Sequence, residues 1–266
     1  YLVGSGHAGF DQVLAVTFTN KAADEMRGRV ESLLGSDCGR LWISTFHAFC
    51  ARVLRREAPA IGLSRHFVIY DASDQLSVVR QALRALRADE KLLQPRLVLA
   101  RISRAKNQMQ GPDGLKEEVG SHRDEVIAAV YERYSQALTE SAALDFDDLL
   151  LKTVQLFDTS EHTRARYANR FRYVMVDEYQ DTNRPQYRLI RQLADGHRNL
   201  CVVGDPDQSI YRFRGAEIRN ILDFEEDYPD AEIIRLETNY RSSACILAAA
   251  QGIIENNKGR MDKTLR

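Results

Sequence analysis

The run Tyr173-Val174-Met175-Val176 leads straight into Asp177-Glu178, and no other stretch narrows the possible folds as much. Strands buried on both faces of a parallel sheet read as unbroken apolar runs. Open α/β sheets place their ligand chemistry beyond the carboxyl ends of such strands. Adjacent carboxylates at that position suit a magnesium-nucleotide site, where the aspartate holds the metal and the glutamate orients or deprotonates an attacking water. The same residues also suit a plain strand end whose acids cap the following helix. On this stretch alone both readings stand.

The rest of the chain supplies a sheet for that strand. Val13–Phe18, Leu41–Thr45, Leu200–Val203 and Ile233–Leu236 read as further strands separated by helical segments, so five strands are expected in a mostly parallel α/β sheet. A chain of 266 residues with 44% hydrophobic content can bury a substantial core in one or two domains. The net charge of −1 rules out a global polycation, so any nucleic-acid surface must be a local patch. Cys38, Cys50, Cys201 and Cys245 are too irregularly spaced for a zinc site or a disulfide framework, and reduced thiols in a cytoplasmic protein are expected. No signal peptide and no apolar run of membrane-spanning length is present in the sequence.

Between the strand-bearing segments the period changes. Leu76, Val79, Leu83 and Leu86 recur at helical spacing behind Asp71, a ready N-cap. A second helix follows Pro95, a turn is marked at Gly111–Gly114, and a third helix is expected over about 123–138. Residues 71–143 therefore read as an all-helical insertion. Within it, residues 80–106 hold eight Arg or Lys against Asp89 and Glu90, which fits either a nucleic-acid backbone or a solvated helix face. In Leu144–Leu150, Asp145 reads as an N-cap with Asp147 and Asp148 in the first turn, in preference to a metal cluster.

Several polar groups fall at expected strand ends. Phe18, Asn20 and Lys21 follow the first strand, where they fit a sugar-phosphate backbone or an ordinary strand-to-helix junction. His47 has no ligating partner at i+4, which disfavours zinc. Asp205 and Gln208 emerge beside the Asp177-Glu178 strand, and Tyr211-Arg212-Phe213-Arg214 interleaves aromatics with arginines, a composition for base stacking and phosphate contact. Gly4 and Gly9 have phosphate-loop spacing, but Phe10-Asp11 stand where Lys and Ser or Thr are required, so this is a plain loop.

The segments LAVTFTNKAADEM, STFHAFCARVLRREA, LDFDDLL, VDEYQDTNRPQY, VVGDPDQSIYRFRGA and LETNYRSS occur in this order. Together they resemble the successive motifs of the UvrD/Rep/PcrA group of superfamily 1 DNA helicases, over residues 1 to about 258. The resemblance implies an ATP- and Mg2+-dependent motor that moves 3′ to 5′ on single-stranded DNA and separates duplexes in repair, replication or recombination. It implies a RecA-like P-loop NTPase motor domain divided into 1–70 and 144–236, an inserted helical subdomain over 71–143, and the start of a second motor domain over 237–266. By motif position, Asp177 would bind magnesium, Glu178 would activate water, and Gln208 would sense the γ-phosphate. Tyr240 would stack on adenine and Arg241 would reach the γ-phosphate. Phe18, Asn20, Lys21, His47, Tyr211, Phe213 and Arg214 would line the single strand, with Phe213 where relatives often carry Trp.

One departure stands out. The family's lysine-bearing phosphate loop precedes the strand at Val13, and Tyr1-Leu2-Val3 match the end of the helix between them. Residues 1–266 by themselves are therefore expected not to hydrolyse ATP. A non-catalytic DNA-binding module is the alternative, disfavoured because Asp177, Glu178, Gln208 and Arg241 are all intact; the motor part of a larger helicase-nuclease is another.

Overall fold

The computed structural model describes residues 1–35, 38–89, 92–117 and 120–256. Strands β1 (Val13–Thr17) and β2 (Trp42–Thr45) are each followed by a helix, α1 (Asn20–Leu34) and α2 (Phe46–Glu57). A two-residue strand, β3 (Val68–Ile69), leads into α3 (Ala72–Ala85), α4 (Pro95–Asn107), α5 (Pro112–Glu117) and α6 (His122–Glu140), and β4 (Ala143–Leu144) ends that excursion. The chain continues through α7 (Phe146–Thr159), α8 (Glu161–Arg170), β5 (Tyr173–Val176), α9 (Arg184–Ala194) and β6 (Leu200–Val202). Three helices follow, α10 (Arg219–Leu222), α11 (Phe224–Asp227) and α12 (Ala244–Ile254).

The main sheet has the order β2-β1-β5-β6, with every pairing parallel. Its side chains alternate between two apolar layers, as strand geometry requires. Leu14, Val16, Trp42, Val174 and Val176 enter the larger core, with Phe49, Leu54, Leu149 and Phe157 from α2 and α7. Val13, Ala15 and Ile43 face a smaller layer that includes Ala23 of α1, with Tyr173 and Met175 packed against it. This two-sided burial explains the unbroken apolar strands, and each fully buried large side chain contributes roughly 1.5–3 kcal/mol. Because the chain steps from β1 out to β2 and then returns to β5 on the opposite side of β1, the crossover direction reverses between β1 and β5. In open sheets that reversal opens a crevice at the carboxyl ends.

The expected strand at 233–236 does not form. Those residues lack a partner edge among the described residues, and Ile234 and Leu236 are exposed, Leu236 by 81%. A ladder needs a neighbour, and apolar composition alone does not supply one. The pairing of β3 with β4, Val68 opposite Ala143 and Ile69 opposite Leu144, is too short to leave a sequence pattern. It brings together the two points where the chain leaves and rejoins the main sheet. Between them, α3, α4 and α6 enclose a separate apolar cluster that includes Leu83, Ile102, Val130 and Tyr134. Their caps are local, with Asp71 accepting from the Ser73 and Asp74 amides. Among the described residues no helix is long and apolar enough to cross a membrane.

An ionic joint ties α4 to α7. Lys106 is 2% exposed, and its Nζ donates to Asp145 Oδ2 and Asp148 Oδ1, both at 2.7 Å. Tyr134 Oη donates to the same Asp145 oxygen at 2.8 Å. Asp145 also caps α7, its Oδ1 accepting from the Asp148 amide at 2.8 Å. The acids are thus caps, as read, and also the counter-charges of a buried lysine. Lys106 belongs to neither reading of the basic stretch, since it is buried and its ammonium is paired within the protein. Burial alone would lower the ammonium's pKa, but the two carboxylates raise it. Next to the joint, Asp147 accepts from Ser103 Oγ at 2.6 Å. Burial, and then the Asp145 charge, push the Asp147 carboxyl up to about 6.

Lys106→Met should lower the free energy of unfolding by about 3–5 kcal/mol in equilibrium urea titrations, because two carboxylates lose their buried counter-charge. Asp147 should give the opposite of the usual carboxylate behaviour. Its folded pKa lies above the ordinary 3.8, so its contribution is fully present below about pH 4 and is lost as pH rises through about 6. Asp147→Asn should therefore gain roughly 1–2 kcal/mol over the parent chain at pH 7 and little at pH 4, measured as the difference between their unfolding curves.

Candidate active site

At the reversal between β1 and β5, the ladder continues past the last strand residue. The Asp177 amide donates to Val16 O at 3.0 Å, and Thr17 Oγ1 donates to Asp177 Oδ2 at 3.2 Å. Two residues later the Tyr179 amide donates to Val203 O at 2.9 Å, beyond the end of β6. Glu178 lies between these two anchors and takes a left-handed backbone, φ 53°. A non-glycine residue in that conformation stores strain, which the bonds on either side hold in place.

The Glu178 side chain is fixed by Gln180. Gln180 is 1% exposed, and its Nε2 donates to Glu178 Oε2 at 2.8 Å while its Oε1 accepts from the Asp205 amide at 3.0 Å. Asp205 in turn accepts from the Asp207 amide through Oδ1 at 3.0 Å and from Gln208 Nε2 through Oδ2 at 2.7 Å. A hydrogen-bonded line therefore runs from Glu178 through Gln180 and Asp205 to Gln208. Gly204 makes the close approach possible, because a Cβ there would lie 2.7 Å from Gln180 Oε1 and 3.2 Å from the Tyr179 amide nitrogen. Asp181, beside this line, has a carboxyl raised by burial and then by the Glu178 charge.

The sequence-predicted residues fall into three sets. Asp177, Glu178 and Gln208 belong to one site, the first through its strand end and the other two through the line just described. Asp177 and Thr17 present hard oxygen donors there, the kind that magnesium takes. Tyr240 and Arg241 are not hydrogen-bonded or ion-paired to that site among the described residues. Tyr240 is 94% exposed, and Asn239 Oδ1 accepts from the Arg241 and Ser242 amides at 2.9 and 2.7 Å in this turn.

The third set lies around the neighbouring strand ends. Phe18 is half-buried with its ring edge-on to Phe46 at 5.9 Å, while Asn20 and Lys21 are exposed on the first turn of α1, which Thr19 caps. Lys21 approaches Glu25 at 3.9 Å. The His47 ring meets Phe146 edge-on at 5.7 Å, and burial lowers its pKa, so it is neutral at pH 7. Tyr211 and Phe213 rings lie 6.1 Å apart, and Phe213 is 79% exposed. The side chain of Arg214 lies outside what the structure describes. Thr17 and Gln180 escaped the sequence analysis, and Asp205 was seen only as a polar residue near the site. The available signal for Gln180 was an amide, both donor and acceptor, between two strand ends that must be held together.

A family model described as the UvrD/REP helicase N-terminal domain matches residues 1–229. The chain is 50% identical over 265 residues to the ATP-dependent DNA helicase PcrA of Bacillus subtilis, covering 100% of this chain and 36% of that protein. It is 49% identical over 253 residues to the PcrA of Staphylococcus epidermidis, covering 95% and 35% respectively. For the PcrA of Staphylococcus aureus the identity is 48% over 253 residues, with the same coverage. The chain thus spans about a third of the length of the curated relatives it matches.

Gly204→Ala should break the seam between the two strand ends. Its methyl group would press on Gln180 and on the backbone at Tyr179, and the unfolding free energy should fall by about 1–3 kcal/mol in urea titrations.

Proposed function

This chain belongs to the UvrD/REP helicase family, and we propose on that footing that it forms most of the first motor domain of an ATP-dependent DNA helicase. The motor moves 3′ to 5′ on single-stranded DNA and separates duplexes in the cytoplasm, in repair, replication or recombination. The observation that carries this reading is the line Glu178–Gln180–Asp205–Gln208 beside Asp177 at the sheet's reversal point. It joins a base for water to a side chain suited to a γ-phosphate.

In this reading Asp177 holds magnesium, with Thr17 orienting its carboxylate. The ion, when bound, supplies positive charge against the phosphate oxygens. Glu178 accepts a proton from the attacking water, and its strained backbone and the Gln180 amide keep the carboxylate aimed. Gln208 meets the γ-phosphate and passes its position to Asp205. Tyr240 stacks on adenine and Arg241 reaches the γ-phosphate once the second motor domain, of which 237–266 is the start, closes on the first. Phe18, Asn20, Lys21, His47, Tyr211, Phe213 and Arg214 line the single-strand path, and the exposed Phe213 face suits base stacking. Residues 71–143 form a helical subdomain inserted between 1–70 and 144–236, with the β3–β4 pairing at its neck. Its exposed arginines suit a duplex backbone.

Residues 1–266 by themselves do not turn over ATP in this reading, because no lysine-bearing phosphate loop lies within them and Asp11 follows the Gly4–Gly9 spacing. One set of ATPase assays tests these statements together. The full-length protein should show turnover stimulated by single-stranded DNA, and residues 1–266 alone should show none. In the full-length protein Glu178→Gln should retain nucleotide binding while turnover falls about 10²–10⁴-fold. Near-normal turnover in that variant would remove the glutamate from the chemistry, and turnover indifferent to DNA would remove the motor function.

A further inference from the structure

Asn107, the last residue of α4, is buried where three separate parts of the chain meet. Its Nδ2 donates to Ser103 O at 2.8 Å and to Asp147 Oδ1 at 3.2 Å. Its Oδ1 accepts from Asn183 Nδ2 at 2.5 Å. Asn183 caps α9, accepting from the Gln186 amide at 3.0 Å, and directly follows the turn that carries Glu178 and Gln180. The third part is the aromatic loop. Gly215 ends the Arg212–Arg214 turn with φ 88°, and a Cβ on it would lie 3.0 Å from Asn107 Cβ and 3.1 Å from its Cγ. The loop's far end is fastened to the same turn. The Glu217 amide donates to Thr182 O, and Asn220 Nδ2 donates to Thr182 O and Oγ1, each at 3.0 Å. Thr182 Oγ1 donates to Tyr179 O at 2.7 Å.

We propose that Asn107 is a positioning residue for nucleic-acid binding. Its amide joins α4 to the Glu178 turn, and its side chain forms the floor against which the backbone of the Tyr211–Gly215 loop rests. Resting on the helicase function proposed above, this makes the last turn of α4 part of the device that presents Phe213 to a single strand. The neighbouring residue Lys106 holds α4 to α7 by charge, and Asn107 extends that joint to the loop. A neutral amide suits the task, since it can donate in one direction and accept in the other without burying a charge.

The test uses the full-length protein and oligodeoxythymidylate as the probe, reading the DNA concentration that half-stimulates ATP turnover alongside the DNA-free rate and the thermal midpoint. Asn107→Asp keeps the acceptor toward Asn183 but sets a carboxylate against Asp147. It should raise the half-stimulating concentration about tenfold, the scale of a buried hydrogen bond to a charged group turned unfavourable. Adding Asp147→Asn restores a donor–acceptor pair between the two side chains, though not the bond to Ser103 O, and should recover part of the loss. Gly215→Ala removes no hydrogen-bonding group but sets a methyl against Asn107 at a backbone φ of 88° that itself disfavours a side chain, and it should weaken DNA stimulation in the same way. It also decides the matter should Asn107→Asp fail to fold. Half-stimulating concentrations equal to the parent's in the folded variants, or a loss of thermal stability with DNA response intact, would overturn the positioning role while leaving the helicase function standing. A parent protein that does not respond to the oligonucleotide at all would overturn both.

Discussion

Two-sided burial of the sheet is the constraint on which the rest of this structure depends. Leu14, Val16, Val174 and Val176 on one face and Val13, Ala15 and Ile43 on the other confine Thr17, Ser44 and Thr45 to the carboxyl-terminal ends of β1 and β2. Polar chemistry is therefore pushed to the carboxyl ends, and the reversal between β1 and β5 selects one end out of four. Thr17, Asp177 and Glu178 converge there because parallel register places them there: Val16 lies opposite Val176, and the next residue on each strand is the first free to be polar.

Buried amides and hydroxyls then connect the loops that leave those strand ends. Gln180, Thr182, Asn183 and Asn107 each link parts of the chain that are distant in sequence, and Gln180 and Asn107 donate and accept through one side-chain amide. Neutral connectors suit positions where a charge would suffer desolvation without a full set of partners. The buried charge of Lys106 is met by two carboxylates, which also accept from Tyr134 Oη and the α7 backbone. Both solutions meet at Lys106-Asn107. This one end of α4 therefore bears on the packing of α7 and on the placement of the loop after β6.

What the residues disclosed and what they hid divide along physical lines. The four strands of the main sheet were legible to within a residue, because burial on both faces demands apolar runs in β1, β2 and β5, and the edge strand β6 keeps Leu200 and Val202 on its packed face although Cys201 is exposed. The caps at Asp71 and Asp145 were legible because capping is settled within one helical turn. Ile233–Leu236 has the same composition as those strands and yet forms none, since pairing depends on an edge that composition does not reveal. Lys106 stood undistinguished in a run of basic residues, and its burial follows only from the docking of α4 on α7.

The chemistry of the site divides in the same way. The placement of Asp177, Glu178 and Gln208 beyond neighbouring strand ends was legible from the apolar runs before them, so the amino-acid sequence by itself determined the family and the position of the carboxylate pair. Gln180 as the link between Glu178 and Asp205, the glycine gap at Gly204 and the seat of Gly215 on Asn107 were decided only by tertiary structure. Each is a contact across 24 or more residues of chain, set by how β5, β6 and α4 come together, and no local pattern encodes a distance between elements that meet only in the folded state.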